Sequence, residues 1–308
     1  MPDQRSGACS RQSLRIGFTG LGVMGEPMCR NLVLKKTDRK NAVQVYDLNK
    51  EPMQRLVDDG AVAASSIADM AAAVDVLLMS LPGGSEVEAV MTGPDGILAH
   101  ARESLTIVDL STSPVGLTRK LAQQALDQGI DYADAPVART RAAAVEGTLA
   151  IMVGAEERVY QRIQPLLACM ASDLTHCGAV GAGQTVKILN NMVLFQTVAS
   201  LAEALTLARR SGLDGQVLFD ALKQGSADSF ALRNHGEKAL LSGEFPLQAF
   251  STRYATKDLD YALQLAEQTD CSTPGATMVK RLFEQTIDAG HGDEYWPALL
   301  HVIESNQR

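Results

Sequence analysis

Lys187 stands in the segment "GAGQTVKILNN", early in an otherwise apolar stretch, with Asn190 and Asn191 three and four residues further on. On a helix those offsets lie on or beside one face, so both amides can neighbour the ammonium group. A lysine in apolar surroundings is costly unless it has a partner or a task. Desolvated beside amides, its pKa falls toward neutrality, and it can then act as general acid and base. Reduction of a carbonyl needs such a group, because the oxygen that gains charge must be protonated. Spacing alone leaves a second reading open, a lysine whose stem is covered while its charge reaches water at a helix end.

A second constellation could bind the reductant. In "RIGFTGLGVMGEPMCRNL" the glycines Gly20, Gly22 and Gly25, with Leu21, Val23 and Met24 between them, follow an apolar run and open a helical pattern. Gly20 permits a tight turn, Gly22 lets backbone approach a pyrophosphate, and Gly25 lets helix and strand pack closely. The helix N-terminus then turns unpaired N–H groups toward phosphate. Asp47, closing the next apolar run "VQVYD", sits where an acid accepts ribose hydroxyls and repels a 2′-phosphate. This pattern predicts a dinucleotide cofactor, NAD in preference to NADP. The alternative is a turn that serves packing alone, with Asp47 as a helix cap.

A third stretch, "DAPVARTRAAAVEGTL", leaves an apolar run and places Ala138-Arg139-Thr140-Arg141 at its end. A guanidinium offers a two-pronged donor to an anion, so Arg139 and Thr140 are candidates to hold a substrate's acid group. Pairing with a surface acid such as Glu146 is the competing reading, and the one preferred for Arg141.

The elements that must position these residues fall into two kinds. Over residues 14–178, apolar runs at 14–19, 43–46, 74–81, 105–109, 130–134 and 148–153 alternate with helical patterns at 24–34, 51–58 and 114–128. Continuous apolar runs point to strands buried on both faces, hence a Rossmann-type doubly wound parallel sheet in an α/β domain. Beyond residue 178 only helical patterns follow. The first, over 184–211, would run about 42 Å and carries Val186, Ile188, Leu189, Met192, Val193, Leu194 and Phe195, so it should be enclosed. Further helices are expected at 215–223, 230–241, 256–268, 274–289 and 296–305. The domains expected are a polar, disordered extension (1–13), a dinucleotide domain (14–180) and an all-α substrate and oligomerisation domain hung on the long helix (181–308).

Composition bounds the rest. With 308 residues, 46% of them hydrophobic, two cores can be filled, and a net charge of −8 argues against nucleic acid or an anionic membrane as partner. Five cysteines without a C-x-x-C pair suggest neither a disulfide framework nor a zinc knuckle, and five histidines without H-x₃-H spacing suggest no metal. The expected setting is cytoplasmic, without signal peptide or membrane span. Cys169, Cys177, Met192 and Phe195 are expected to be packing residues, and Arg209-Arg210 a solvated helix end.

Taken in order, "GFTGLGVMGEPM", "SLPGGSEVEAV", "VDLSTSP", "DAPVA…EGTLAIMVGA", "GAGQTVKILNN" and "KDLDYAL" resemble the β-hydroxyacid dehydrogenases, among them the 3-hydroxyisobutyrate dehydrogenases and tartronate semialdehyde reductases. The resemblance runs from about residue 14 to residue 301. It implies that Lys187 is the catalytic acid/base, that Asn191 orients substrate, and that Ser111 and Thr112 lie by the nicotinamide. It also implies that Leu81 and Pro82 line the adenosine side, that Val87 is a cofactor contact, that Lys257 reaches cofactor and substrate, and that Phe250 packs near the nicotinamide. Most members carry Ser-Gly-Gly where this chain has Ala138-Arg139-Thr140. That departure resembles the Gly-Arg-Thr loop of 3-sulfolactaldehyde reductases, in which Arg, Thr and an Asn (Asn190 here) read a sulfonate, and Trp296 is a second shared feature. The implied substrate is a small anion, with 3-sulfolactaldehyde or succinic semialdehyde as candidates and the 3-hydroxyisobutyrate or tartronate type of carboxylate as the alternative. For Trp296 a packing role is the preferred reading unless it reaches a neighbouring subunit's site. Imine reduction is disfavoured by Lys187 with Asn191, and a catalytically inactive NAD-binding scaffold by the presence of Lys187. The apolar long helix suggests a homodimer or homotetramer.

Overall fold

The computed structural model describes residues 14–36, 40–247 and 249–305, so the extension expected over residues 1–13 lies outside the described residues. The chain divides into two compact units, one running to Gln184 and the other from Thr185. In the first, strands β1 (Ile16–Thr19), β2 (Gln44–Tyr46), β3 (Val62–Ala63), β4 (Val76–Met79), β5 (Thr106–Asp109) and β6 (Asp131–Asp134) alternate with helices. Those helices are α1 (Gly25–Lys35), α2 (Lys50–Asp58), α3 (Ile67–Ala73), α4 (Gly84–Thr92), α5 (Ile97–His100) and α6 (Val115–Leu126). The six strands pair in parallel in the order β3-β2-β1-β4-β5-β6. Residues of β1, β4 and β5 are buried throughout, which is why their sequences show no polar alternation. Phe18, Val45, Leu78 and Val108 face one apolar layer. Leu77, Met79, Ile107 and Tyr132 face the other.

The far side of the sheet departs from a purely parallel arrangement. It holds β7 (Val137–Ala138), α7 (Arg141–Glu146), β8 (Leu149–Gly154), α8 (Glu157–Leu167) and β9 (Ala171–Gly178). Strand β8 runs antiparallel to β6 and β7 and parallel to β9. The expected strands did not include β9, because "ASDLTHCG" mixes exposed polar residues into its length and shows no apolar run. The two-residue strands β3 and β7 are too short to leave a pattern.

The second unit is helical: α9 (Ala182–Arg210), α10 (Gly215–Gln224), a π-helix over Leu232–Leu241, α11 (Thr252–Gln268), α12 (Pro274–Thr286) and α13 (Leu299–Ser305). Helix α11 starts earlier than expected because the Ser251 side chain caps it, accepting from the Tyr254 N–H. The helix expected to reach residue 289 changes to a π turn over Ile287–His291, where Gly290 takes φ +95°. Phe195 meets Phe283 and Trp296 edge-on at ring-centroid distances of 5.4 and 4.9 Å in the core of this unit.

Two expectations about α9 need correction. Helix α9 is long and apolar enough by composition to cross a membrane, and half of its most apolar stretch is buried within the protein. It is not enclosed, since Val186, Leu189, Val193 (58% exposed) and Leu207 (69% exposed) remain open. Arg209 and Arg210 are not simply solvated either. Arg209 pairs with the Glu304 carboxylate at 2.6 Å, and Arg210 donates to the Glu304 carbonyl at 2.7 Å.

Candidate active site

Strand register sets five strand ends level. Thr19 pairs with Met79, Met79 with Asp109 and Asp109 with Asp134, while Tyr46 lies beside Thr19. The segments after β1, β2, β4, β5 and β6 therefore leave from one edge: the glycine loop, Asp47, Leu81-Pro82, Ser111-Thr112 and the run toward Arg139. In an open parallel sheet, ligands lie beyond this carboxyl edge where strand order reverses, which here is between β1 and β4.

The glycines of the first loop do different work. Gly20 takes φ +84°, and a Cβ there would lie 2.2 Å from the Ser80 carbonyl oxygen; one at Gly25 would lie 1.9 Å from that of Gly20. Both are required by packing. A Cβ on Gly22 would meet nothing within 4 Å, so the space above it is open, as the approach of a pyrophosphate requires. Met24 makes no side-chain cap on α1, which leaves the partial positive charge of that helix end facing the loop. The Asp47 carboxylate accepts from the N–H groups of Leu21 (2.5 Å) and Asn49 (2.7 Å). It borders a cleft of about 410 Å³ with Tyr46, Leu48, Met53 and Ala64.

Two of the expected cofactor contacts are core residues. The Leu21 side chain is 2% exposed and packs in one apolar layer, so only its backbone can meet a ligand, and Val87 is wholly buried in the other. Val23 and Pro82 are exposed, while Met24, Leu81 and Thr112 are half-buried.

Buried polar bonds shape the neighbouring loop. The Ser111 hydroxyl accepts from the Leu81 N–H at 2.9 Å. Gln184 donates to the Ser111 carbonyl at 2.8 Å and accepts from the Ser113 N–H at 3.1 Å, so one amide clamps the segment. The Asp134 carboxylate accepts from the N–H groups of Gly181 (2.6 Å) and Gln184 (2.7 Å). A carboxylate there satisfies orphan donors at the start of α9 and complements its dipole. Burial pushes the carboxyls of Asp109 and Asp134 up to about 6, and Asp109 also accepts from the Tyr132 hydroxyl at 3.1 Å.

Arg139 takes φ +85°, a left-handed conformation that costs a non-glycine residue about 1–2 kcal/mol. Its guanidinium donates to Asp173 Oδ2 (2.6 Å), Ser172 Oγ (2.7 Å) and the Thr148 carbonyl (2.5 Å). The acid that engages it is thus Asp173 on β9 and not Glu146. Bonds from Ser172 and Arg139 hold the Asp173 carboxyl below its usual range. Ala138 is half-buried on β7, and Thr140 is exposed and makes no side-chain cap on α7.

In the second unit, Lys187 Nζ donates to Asn191 Oδ1 at 3.1 Å, as does Asn190 Nδ2 at the same distance. Asn191 Nδ2 in turn donates to Asp258 Oδ2 at 2.8 Å, and Lys257 Nζ lies 3.2 Å from Asp258 Oδ1. Burial holds the Lys187 ammonium below the usual lysine range, with Asp258 opposing that shift and Lys257 adding to it. Asp258 escaped the sequence reading although it adjoins Lys257; its signal was an acid within the K-D-L motif on an apolar helix face. Phe250 is partly exposed, with its ring 6.1 Å from that of Phe195. Trp296 presents no surface to a substrate, being 0% exposed among Phe195, Phe283 and His235.

The first unit is therefore built as a dinucleotide-binding domain, and the second carries an amide-held lysine. Residues 15–178 match the family model described as the NAD binding domain of 6-phosphogluconate dehydrogenase. Residues 181–303 match that described as NAD-binding of NADP-dependent 3-hydroxyisobutyrate dehydrogenase. The chain is 39% identical to 2-(hydroxymethyl)glutarate dehydrogenase of Eubacterium barkeri, over 95% of this chain and 96% of that protein. It is 36% identical to 3-hydroxyisobutyrate dehydrogenase of Pseudomonas aeruginosa, over 90% and 94%. Among solved structures, a Mycobacterium tuberculosis 3-hydroxyisobutyrate dehydrogenase with L-serine superposes with a TM-score of 0.85 at 31% identity, covering 95% of this chain and 99% of that one. The chain belongs to the β-hydroxyacid dehydrogenase family and is an NAD(P)-dependent oxidoreductase.

Proposed function

We propose that the protein interconverts a short β-hydroxy acid and its semialdehyde, with NAD(H) as cofactor and Lys187 as the acid/base. The observation that carries this reading is the chain of bonds from Lys187 Nζ to Asn191 and from Asn191 to Asp258. Asn191 is held by a buried acid, so its carbonyl oxygen keeps the ammonium in one place. The nicotinamide, when bound, supplies or accepts the hydride. In reduction Lys187 gives a proton to the carbonyl oxygen as the carbon is reduced; in oxidation the neutral amine takes the hydroxyl proton. Its lowered pKa makes the neutral amine more accessible than in an ordinary lysine. Lys257, Ser111, Thr112, Leu81, Pro82 and Phe250 border cofactor or substrate in this reading. Asp47 favours NAD, since its carboxylate repels a 2′-phosphate.

The substrate's acid group, in this proposal, is a carboxylate. Arg139 adopts a backbone conformation natural to the glycine that most family members carry there, and its guanidinium is occupied by Asp173. In this reading backbone N–H groups of the 138–140 loop hold the carboxylate. The relatives named for 2-(hydroxymethyl)glutarate and 3-hydroxyisobutyrate support this class. A second reading, a sulfonate held by Arg139 and Thr140, is favoured by the Arg-Thr pair itself and requires the guanidinium to leave Asp173. Initial rates with 3-sulfolactaldehyde and with carboxylate semialdehydes, for the wild type and Arg139→Ala, separate them. Loss of a sulfolactaldehyde preference in the variant supports the second reading, and near-unchanged carboxylate turnover the first. Exposed Val186, Val193 and Leu207 share a heptad-spaced stripe on α9 and support a homodimer or homotetramer.

A further inference from the structure

Away from Lys187, the second unit brings three metal-ligating side chains together. His291 Nδ1 lies 2.9 Å from Glu294 Oε1, and His301 Nε2 lies 3.6 Å from Glu294 Oε2. The two imidazole rings stack with centroids 4.3 Å apart. All three ligand atoms lie within 4.8 Å of one another. Each residue is only partly buried, so an ion and its waters can reach the group.

Independent contacts hold each of the three in place. The left-handed Gly290 closes the π turn that ends in His291. The Glu294 backbone is bridged to Leu247, and its carbonyl accepts from the Thr252 N–H at 3.0 Å. His301, on α13, packs its ring edge-on against Phe245 at 5.0 Å. The kinked turn brings the ligands together, whereas their sequence spacing matches no regular helical metal motif. The neighbouring cation Arg253 is paired with Asp293 at 3.1 Å.

Two imidazoles that ligate through an unprotonated nitrogen and one carboxylate give a site of net negative charge with nitrogen donors. That set suits the borderline divalent ions zinc, cobalt, nickel and copper, while magnesium and calcium prefer oxygen. With metal–ligand bonds of about 2.0–2.2 Å, ligand atoms on a tetrahedral zinc ion stand about 3.3–3.6 Å apart. The present separations bracket that range, so side-chain rotation suffices to close the site. We propose that His291, Glu294 and His301 bind one divalent transition-metal ion, zinc fitting best, with the fourth position open to water. The ion ties α13 to the π turn and takes no part in hydride transfer.

The test uses the full-length protein without a histidine tag. Calorimetric titration with Zn²⁺ alone should give one saturable site, and Zn²⁺ should raise the wild-type Tm. Co²⁺ should produce a visible d–d band without a thiolate charge-transfer band, which sets this site apart from the cysteines. His301→Ala and, separately, His291→Asn should weaken binding by about 10²-fold or more, remove the Tm response, and leave NAD(P)H-dependent turnover unchanged. Absence of saturable binding, a thiolate band, or undiminished affinity in both folded variants overturns the proposal.

Discussion

Asn191 donates to Asp258 at 2.8 Å while its carbonyl oxygen accepts from Lys187 at 3.1 Å. One amide therefore fixes the lysine and links it to a buried carboxylate. The charge of Asp258 favours the ammonium form, against the burial that disfavours it.

That opposition sets a pH prediction. In the proposed mechanism carbonyl reduction needs protonated Lys187, so its kcat/KM should fall at alkaline pH with a limb below the ordinary lysine range. Asp258→Asn removes a charge that raises the lysine pKa and should move the limb to lower pH. A rate profile for each protein checks this, and a limb that stays put or moves upward would count against the relay.

The glycine loop offers a test of cofactor approach. Gly25→Ala would drive a methyl group into the Gly20 carbonyl and should lower Tm markedly. Gly22→Ala meets no protein atom within 4 Å, so Tm should stay close to wild type while NADH affinity falls. Equal affinities in wild type and Gly22→Ala would exclude a close pyrophosphate.

Arg139 separates backbone from side chain. Arg139→Gly and Arg139→Ala both lose the bonds to Asp173, but only glycine is at ease at φ +85°. The glycine variant should be the more stable by about 1 kcal/mol in denaturant unfolding. Equal stability would mean that the left-handed conformation is not retained.

His235 governs part of the acid response. Its ring is buried, accepts from or donates to the Tyr295 hydroxyl at 2.6 Å, and has its pKa lowered by burial from 6.5 to about 4. The unfolded chain therefore binds more protons between those values, and stability is lost as pH falls through the window, by about 3 kcal/mol in all. Asp109 and Asp134, raised to about 6, contribute with the opposite sign. The His235→Gln minus wild-type difference in unfolding free energy isolates the histidine and should rise as pH drops from 6.5 to 4. A flat difference would contradict it.

Much of this was legible in the residues. The runs that became β1, β4 and β5 are apolar because both their faces are covered, and Gly20 and Gly25 are forced by backbone carbonyls that leave no room for a Cβ. Lys187 and Asn191 met as their helical spacing predicts. What stayed hidden depends on long-range pairing. Asp173 found Arg139 only because β9 lies beside β8, and Asp258 met Asn191 from a helix 67 residues away. Val87 and Trp296 show the converse, since an apolar side chain beside a motif is most often spent on the core.

In the proposed reaction Lys187 moves the proton in the NAD(P)-linked conversion of a β-hydroxy acid. We would measure single-turnover reduction of a carboxylate semialdehyde by bound NADH in wild type and Lys187→Met, together with NADH affinity. A rate loss of about 10²–10⁴-fold is expected, with affinity nearly unchanged. A variant that turns over at the wild-type rate would contradict it.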